Sequence, residues 1–312
     1  MNRLLSRKFF WTSCACLVAF FFAAFFGCRR SEPVANAEGE KLEILVAVDP
    51  IAYMVERVGG DLVSVVALTP QGRDPESYAP TPGDLKRVVA SRGFLRVGLP
   101  IERRFEKNIK SIAPDARTYD LCKNLTLLAD PHHCEDPDAE AHDDHDDEDS
   151  LDAHVWTSPA NARVMVANIA EALAELDPDN AETYDANAGA FDAELAALQE
   201  EIRARLEPFE GRGFVVFHPA YGYFAREFNL EQRAVEFEGK APRPRELQKL
   251  IEQAKADGVR KLIVQPEFSR SSAQTIADAV GGELVDHSPL QKDYFANMRA
   301  LTDAIVGSFE DQ

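Results

Sequence analysis

The stretch from His132 to Trp156 gathers imidazole and carboxylate side chains and contains neither lysine nor arginine. Between Glu135 and Asp149, ten of fifteen residues are acidic. Neutral imidazoles and carboxylates are side chains that bind divalent metals. Residues 131–150 are therefore predicted to be either a segment that captures metal ions weakly or a solvated acidic insert. The candidate weak ligands in this loop are His132, His133, His142 and His145.

Further candidate ligands follow apolar runs that are typical of β-strands, and one more, His154, follows the acidic loop directly. In open parallel sheets, ligands bind beyond the carboxyl ends of the strands, so polar residues at those ends are the ones of interest. Each of them, taken alone, could equally be a hydrogen-bonded or surface residue. Together, two imidazoles with two or three carboxylates predict a closed site for a divalent metal. These residues are Glu76, His154, His218, Glu267 and Asp286.

The elements that must position these residues alternate between strand and helix. From residue 41, apolar runs such as "KLEILVAV" and "LVSVVALT" are separated by segments with helical spacing, and the same alternation restarts at "FVVFH". This pattern predicts an α/β fold in two lobes, each a mainly parallel sheet with flanking helices. We assign residues 41–179 to the N-terminal lobe and residues 209–312 to the C-terminal lobe.

Residues 180–208 are predicted to form one long helix that links the lobes. Their apolar residues recur at spacings of three and four, which is the period of a helix with one buried face. Two shorter helices broken near Gly189 are the alternative, because glycine weakens a helix interior. The apolar positions are Tyr184, Ala188, Phe191, Leu195, Leu198, Ile202 and Leu206.

Residues 1–28 have the basic start and apolar run of an export signal, and Gly27-Cys28 resembles the lipid-modified cysteine of bacterial lipoproteins. We therefore predict a protein outside the cytoplasm, tethered through Cys28 or secreted, with residues 29–40 as a linker. A retained membrane anchor is the alternative, because the apolar run approaches the roughly 20 residues that span a bilayer.

Charge and cysteine content restrict the partners. The net charge of −19 disfavours nucleic acid and anionic membrane surfaces as ligands and favours cations.

Outside the signal and its end, the cysteines are Cys122 and Cys134. In an oxidising compartment they could form a disulfide, or Cys134 could be a soft metal ligand beside His132 and His133.

Five separated blocks resemble one family in the family's order, from about residue 41 to 310. They are "LTPQGRDPESYAPTPGDL", "LDAHVWTSPANARVMVANIAEAL", "FVVFHPAYGYFAREFNL", "EGKAPRPRELQKLI" and "VQPEFSRSSAQTIADAVGGELVDHSPL". These blocks are similar to the zinc and manganese receptors of ABC importers, the ZnuA/TroA-like solute-binding proteins. The resemblance implies two lobes, a rigid linking helix and one metal in the cleft between the lobes.

The resemblance also implies the ligands. The family's four positions fall on Glu76, His154, His218 and Asp286, and Glu76 stands where the family typically has histidine. Glu267 is predicted to lie behind the ligands or to be an alternate ligand. Two imidazoles with two carboxylates suit zinc, and manganese or ferrous iron is the alternative.

The function implied by this resemblance is a monomeric receptor, not an enzyme. It would capture zinc outside the cytoplasm and deliver it to an ABC permease and its ATPase. Two other classes stay open: a periplasmic metal buffer without a transporter, and a zinc-dependent hydrolase with Glu267 as its base, although no HExxH motif is present.

Overall fold

The computed structural model describes residues 41–79, 81–112, 114–130, 151–235, 245, 248, 251–252, 255–256, 260–268 and 270–310. The predicted export signal, Cys28, the acidic loop and Cys134 lie outside these residues. Residues 41–312 form a single structural unit.

The first sheet contains four parallel strands in the order β2-β1-β3-β4. The central strand β1 is buried along almost its whole length, as expected for a parallel strand covered by helices on both faces. Pro50 lies in the first turn of α1, where its missing N–H costs nothing, and Gly60 follows the helix at a φ of 56°. The elements are β1 (Leu42–Val46), α1 (Asp49–Gly59), β2 (Val63–Ala67), α2 (Pro82–Ala90), β3 (Gly93–Arg96), α3 (Pro100–Ile112), β4 (Arg117–Asp120) and α4 (Pro159–Leu176).

The second sheet repeats this arrangement with four parallel strands in the order β6-β5-β7-β8. The predicted fold, two α/β lobes with parallel sheets, is therefore confirmed. Within the described ranges, no helix has both the length and the apolar character needed to span a bilayer. The elements are β5 (Gly213–Val216), α6 (Gly222–Glu227), β6 (Glu231–Ala234), β7 (Lys261–Val264), α7 (Arg270–Val280), β8 (Glu283–Asp286) and α8 (Tyr294–Glu310).

The linking helix α5 (Ala181–Leu206) is continuous over 26 residues and passes through Gly189 without a break. All seven apolar residues predicted to share a face are buried. On that face α5 packs against α1 and α4 of the first lobe and against α8 of the second. The alternative of two helices broken near Gly189 is wrong, because burial of this face outweighs the low helix propensity of one exposed glycine.

One cluster of buried apolar residues extends from β1 to α8 and includes residues of both lobes. Hydrogen bonds also join the lobes near their facing loops. The indole Nε1 of Trp156 donates to the carbonyl of Pro289 over 3.0 Å, and Tyr223 Oη donates to the carbonyl of Asp152 over 2.6 Å. The loops beyond the carboxyl ends of the two sheets are therefore held against each other.

Candidate metal centre

Three of the predicted ligands come from three different loops. Glu76 lies in the loop after β2, His154 immediately precedes the short 3-10 turn that leads to α4, and His218 lies two residues after the end of β5. Both histidines are buried, and Glu76 is half-buried. The two lobes thus contribute side chains to one point between them, as the strand-end argument predicts.

The ligand atoms of these residues are close enough to share one ion. His154 Nε2 and His218 Nε2 are 3.4 Å apart, and Glu76 Oε1 lies 3.8 Å from the first and 3.6 Å from the second. Ligand atoms around a tetrahedral zinc, each about 2.0–2.2 Å from the metal, are separated by about 3.3–3.6 Å. Among the described residues, these three form the group of histidine, cysteine or acidic side chains whose ligand atoms lie close enough together to bind one metal ion.

Asp152 determines the orientation of the His154 ring. Its Oδ1 accepts hydrogen bonds from His154 Nδ1 and from the His154 backbone N–H, each over 2.9 Å. Because an ionised carboxylate can only accept, Nδ1 carries the ring proton and Nε2 presents a lone pair to the other ligands. A carboxylate behind a histidine in this way increases the basicity of the ligating nitrogen.

His218 is held through its backbone and its ring face. Gln265 Oε1 accepts from the His218 backbone N–H over 3.1 Å, and Gln265 Nε2 donates to the His218 carbonyl over 2.8 Å. The ring stacks on Phe268 with centroids 4.6 Å apart. These contacts join β5 and β7 at their carboxyl ends and fix the direction in which the imidazole points.

Glu76 is positioned by the preceding residues of its own loop. Asp74 Oδ1 accepts from the Glu76 backbone N–H over 2.9 Å, and Asp74 Oδ2 accepts from the Ser77 N–H over 3.2 Å. A guanidinium N–H of Arg104 donates to the Glu76 carbonyl. The Asp-Pro-Glu sequence thus makes a turn in which the aspartate organises the backbone and the glutamate side chain is left to face the histidines.

The structure does not bring Asp286 into this group, so its prediction as a ligand is not supported. Its carboxylate is paired with Arg270 at the surface, and its side chain is 56% exposed. Successive side chains of a strand point to opposite faces, and here it is the next residue, His287, that is buried. His287 contacts Tyr221 Oη and the Asn297 carbonyl rather than the candidate ligands.

Glu267 lines a small cavity of about 20 Å³ together with His154 and His218. A space of this size holds one water molecule or one ion. Glu267 Oε1 accepts from Ser288 Oγ over 2.6 Å, whereas the buried Oε2 has no hydrogen-bond partner in the part of the chain that the structure describes. This carboxylate faces the same space as the two imidazoles.

Two contributors to the site were missed in the sequence, namely Asp152 and Gln265. Asp152 could have been found, because an aspartate two residues before a candidate histidine can reach the ring nitrogen of that histidine. Gln265 gives no comparable signal, since its contact is with the backbone of His218, in the loop after another strand. The loop histidines His132, His133, His142 and His145 and the partner cysteine Cys134 lie outside the described residues. The thiol of Cys122 donates to the Val97 carbonyl over 3.3 Å.

Comparison with known proteins identifies the family. Residues 44–308 match the family described as ZnuA, zinc-uptake complex component A, periplasmic. A crystal structure of ZnuA superposes with a TM-score of 0.78 and 33% identity over 86% of this chain and 99% of that chain. The high-affinity zinc uptake system protein ZnuA of Bacillus subtilis is 26% identical, over 85% of this chain and 83% of its own length. The iron-binding protein YfeA of Yersinia pestis is 26% identical, over 62% of this chain and 58% of its own length. The chain therefore belongs to the ZnuA family of periplasmic zinc-uptake components.

Proposed function

We propose that this protein is a receptor that captures a divalent transition metal, zinc first, outside the cytoplasm and delivers it to an ABC permease with its ATPase. The observation that carries the proposal is the convergence of Glu76, His154 and His218 from both lobes, with ligand atoms 3.4–3.8 Å apart. The bound metal is the cargo. A site between two lobes suits a carrier, because separation of the lobes would remove ligands from the ion.

We further propose Glu267, in place of Asp286, as the fourth ligand. Its carboxylate lines the same cavity as both histidines, and its Oε2 is buried without a hydrogen-bond partner among the described residues. A buried carboxylate oxygen without a partner is costly, and coordination of a cation would remove that cost. Asp286 already has a partner in Arg270.

The donor set favours zinc while leaving manganese and ferrous iron as alternatives. Two imidazole nitrogens suit a borderline metal, and zinc binds nitrogen and oxygen sites more tightly than manganese or ferrous iron. Two carboxylates are harder ligands and reduce that preference. The family and the Bacillus subtilis relative are named for zinc, whereas the Yersinia pestis relative is named for iron.

The acidic loop at residues 131–150 has a separate proposed role, which is weak capture of several ions beside the tight site.

For the N-terminus we keep the prediction that Cys28 carries a lipid after removal of the export signal before it. For Cys122 and Cys134 both predictions, a disulfide or Cys134 as a soft metal ligand, stay predictions. The lobe boundaries at residues 179 and 209 also stay predictions.

Competition titration of zinc against a chromogenic chelator tests the site. Removal of a hydrogen-bond partner behind a ligand weakens metal affinity by about 10–100-fold. His154→Ala and His218→Ala each remove a ligand itself, so each should weaken zinc affinity by more than this. Glu267→Ala and Asp286→Ala form a matched pair, each removing one carboxylate. We expect a large loss of zinc affinity in Glu267→Ala and an affinity close to wild type in Asp286→Ala.

A large loss in Asp286→Ala with wild-type affinity in Glu267→Ala would mean that Asp286 is the fourth ligand. Near-native affinity in both histidine variants would overturn the site itself. Metal analysis of protein purified without added metal, followed by competition between zinc and manganese, decides the preferred ion.

A further inference from the structure

A second, larger cavity of about 170 Å³ lies between the lobes beside the candidate metal centre. Its walls are the residues that follow β1 and β2 in the first lobe and those that follow β7 and β8 in the second. Glu267 lines both this cavity and the small one that contains the histidines. We call the larger one the access cavity. It has room for several water molecules.

The polar groups that line the access cavity are oxygen-rich and include no cationic side chain among the described lining residues. From the first lobe come Asp49, Thr69 and Gln71, and from the second come Glu267, Ser288 and Gln291. Carboxylate, hydroxyl and amide oxygens are the groups that bind hard or hydrated divalent cations. The composition of the walls therefore favours a cation and disfavours an anion.

Two of these oxygens lack hydrogen-bond partners. Thr69 is only 6% exposed, and its Oγ1 has no partner within the described residues, although its backbone N–H donates to Ala47. Glu267 Oε2, on the second lobe, is also buried and has no hydrogen-bond partner among the described residues. A buried polar group without a partner is costly, so a ligand or ordered water in the cavity is needed to satisfy both atoms.

Asp49 supplies the negative charge on the first-lobe side. Its half-buried carboxylate has no hydrogen bond or ion pair among the described residues. Burial raises the pKa of Asp49, while the positive charge of Lys292 lowers it. Lys292 itself is paired with Glu56, with Nζ and Oε1 2.8 Å apart. The Lys292 charge is therefore already partly balanced, and Asp49 can attract a cation into the cavity.

We propose that the access cavity is a second subsite, which receives a hydrated divalent metal ion before the ion reaches the histidines. Asp49, Thr69 Oγ1 and Glu267 Oε2 hold the ion through its water shell. Rotation of the Glu267 side chain then carries it toward His154 and His218, where imidazoles replace waters. This inference rests on the proposed function and adds the route by which the metal arrives.

Stopped-flow zinc binding, followed through tryptophan fluorescence, tests the route. The ring of Trp156 lies 5.4 Å from that of His154, so its emission reports on the tight site. Asp49→Asn should slow zinc association by about 10-fold, because an attractive charged cleft raises association rates by 10-fold or more. Thr69→Val removes one neutral oxygen and no charge, so it should slow association by a smaller factor. Stoichiometry at equilibrium should stay at one tight zinc. Asp179→Asn, which removes the same charge from an exposed position, should associate at the wild-type rate.

A crystal of the His154→Ala variant, in which the tight site lacks a ligand and Glu267 is not engaged there, soaked in manganese gives the second readout. Anomalous density between Asp49, Thr69 and Glu267 is the expected result. Water alone in the access cavity would overturn the proposal, and so would wild-type association rates in both variants. Absence of tight zinc binding in the wild-type protein would instead overturn the proposed function, so the two failures are distinguishable.

Discussion

Asp152 Oδ1 lies 2.9 Å from His154 Nδ1, and this contact decides which ring nitrogen is available to a metal ion. The same oxygen accepts the backbone N–H of His154, so one buried carboxylate fixes both the ring and the chain that carries it. The candidate metal centre thus depends on a residue that does not itself face the ion.

Replacing Asp152 with asparagine should weaken zinc binding by about 10–100-fold while the stoichiometry stays at one. An amide is a weaker acceptor and can turn its N–H₂ toward Nδ1, which would move the ring proton to Nε2. Chelator competition measures the affinity, and the melting temperature of the metal-free variant separates this effect from misfolding. Unchanged affinity would mean that Asp152 does not set the tautomer.

Glu102 predicts a pH dependence of stability that is independent of the metal. It is fully buried and accepts hydrogen bonds from the N–H groups of Val97, Gly98 and Leu99 through one oxygen. Burial raises the pKa of Glu102 from 4.5 to about 7, although the three N–H groups oppose this. Between these two values the folded protein keeps a proton that the unfolded chain releases, so stability falls as pH rises.

The contribution of Glu102 should fall by about 3 kcal/mol across this range. Glu102→Gln cannot titrate, and its amide oxygen can accept the same N–H groups, so its stability relative to wild type should rise with pH. Urea denaturation with chelator present, at a series of pH values, gives the comparison. Glu171→Gln, at an exposed ion pair with Lys123, should show no such trend. A constant difference between Glu102→Gln and wild type would contradict the prediction.

Gly189→Ala should stabilise the protein by roughly 0.5–1 kcal/mol. The glycine lies exposed inside α5, and a Cβ atom there would meet no other atom within 4 Å. Gly211 is the matched control, because a Cβ has equal space there but φ is +76°, which disfavours alanine. Thermal unfolding should show opposite shifts for Gly189→Ala and Gly211→Ala. Equal shifts would mean that local space, rather than backbone conformation, controls both positions.

Deleting residues 132–149 should leave one tight zinc per molecule and remove the additional weak equivalents detected by calorimetry. The weak binding depends on neutral imidazole, so it should fade as pH falls through about 6.5. A variant with asparagine at His132, His133, His142 and His145 keeps the acidic residues and separates the role of imidazole from that of charge. Loss of the tight zinc on deletion would place the principal ligands in the loop.

The parts of this structure that could be predicted from sequence are those set by periodicity. The apolar spacing along residues 180–208 predicts α5, and strands followed by polar residues predict Glu76 and His218 as neighbours. His154 is predicted from its place directly after the acidic loop. The fourth position is not determined by the sequence pattern, since the last residue of a strand can face either side of the sheet. Asp286 faces Arg270, and nothing in the run "ELVDHS" reports which side is chosen.

The access cavity could not be predicted either. Thr69 and Glu267 come from different lobes, and their relation depends on how α5 sets the two sheets against each other. The sequence predicts Glu267 only as a residue behind the ligands, an alternate ligand or a base, because its position after β7 is clear in the sequence while its contact with Ser288 is not.

The packing of α5 also has a consequence for the order in which the molecule folds. Its contact with α4, through Arg163 and Asp192, joins residues 29 apart in the chain, whereas its contact with α8, through Glu201 and Arg299, joins residues 98 apart. Closing the longer loop costs about 1 kcal/mol more in chain entropy. We therefore expect the first lobe to form on α5 before the second lobe docks, so that the candidate metal centre assembles last. Zinc should then slow unfolding without accelerating refolding, which stopped-flow kinetics can measure. The cargo would stabilise the finished fold but would not guide its formation.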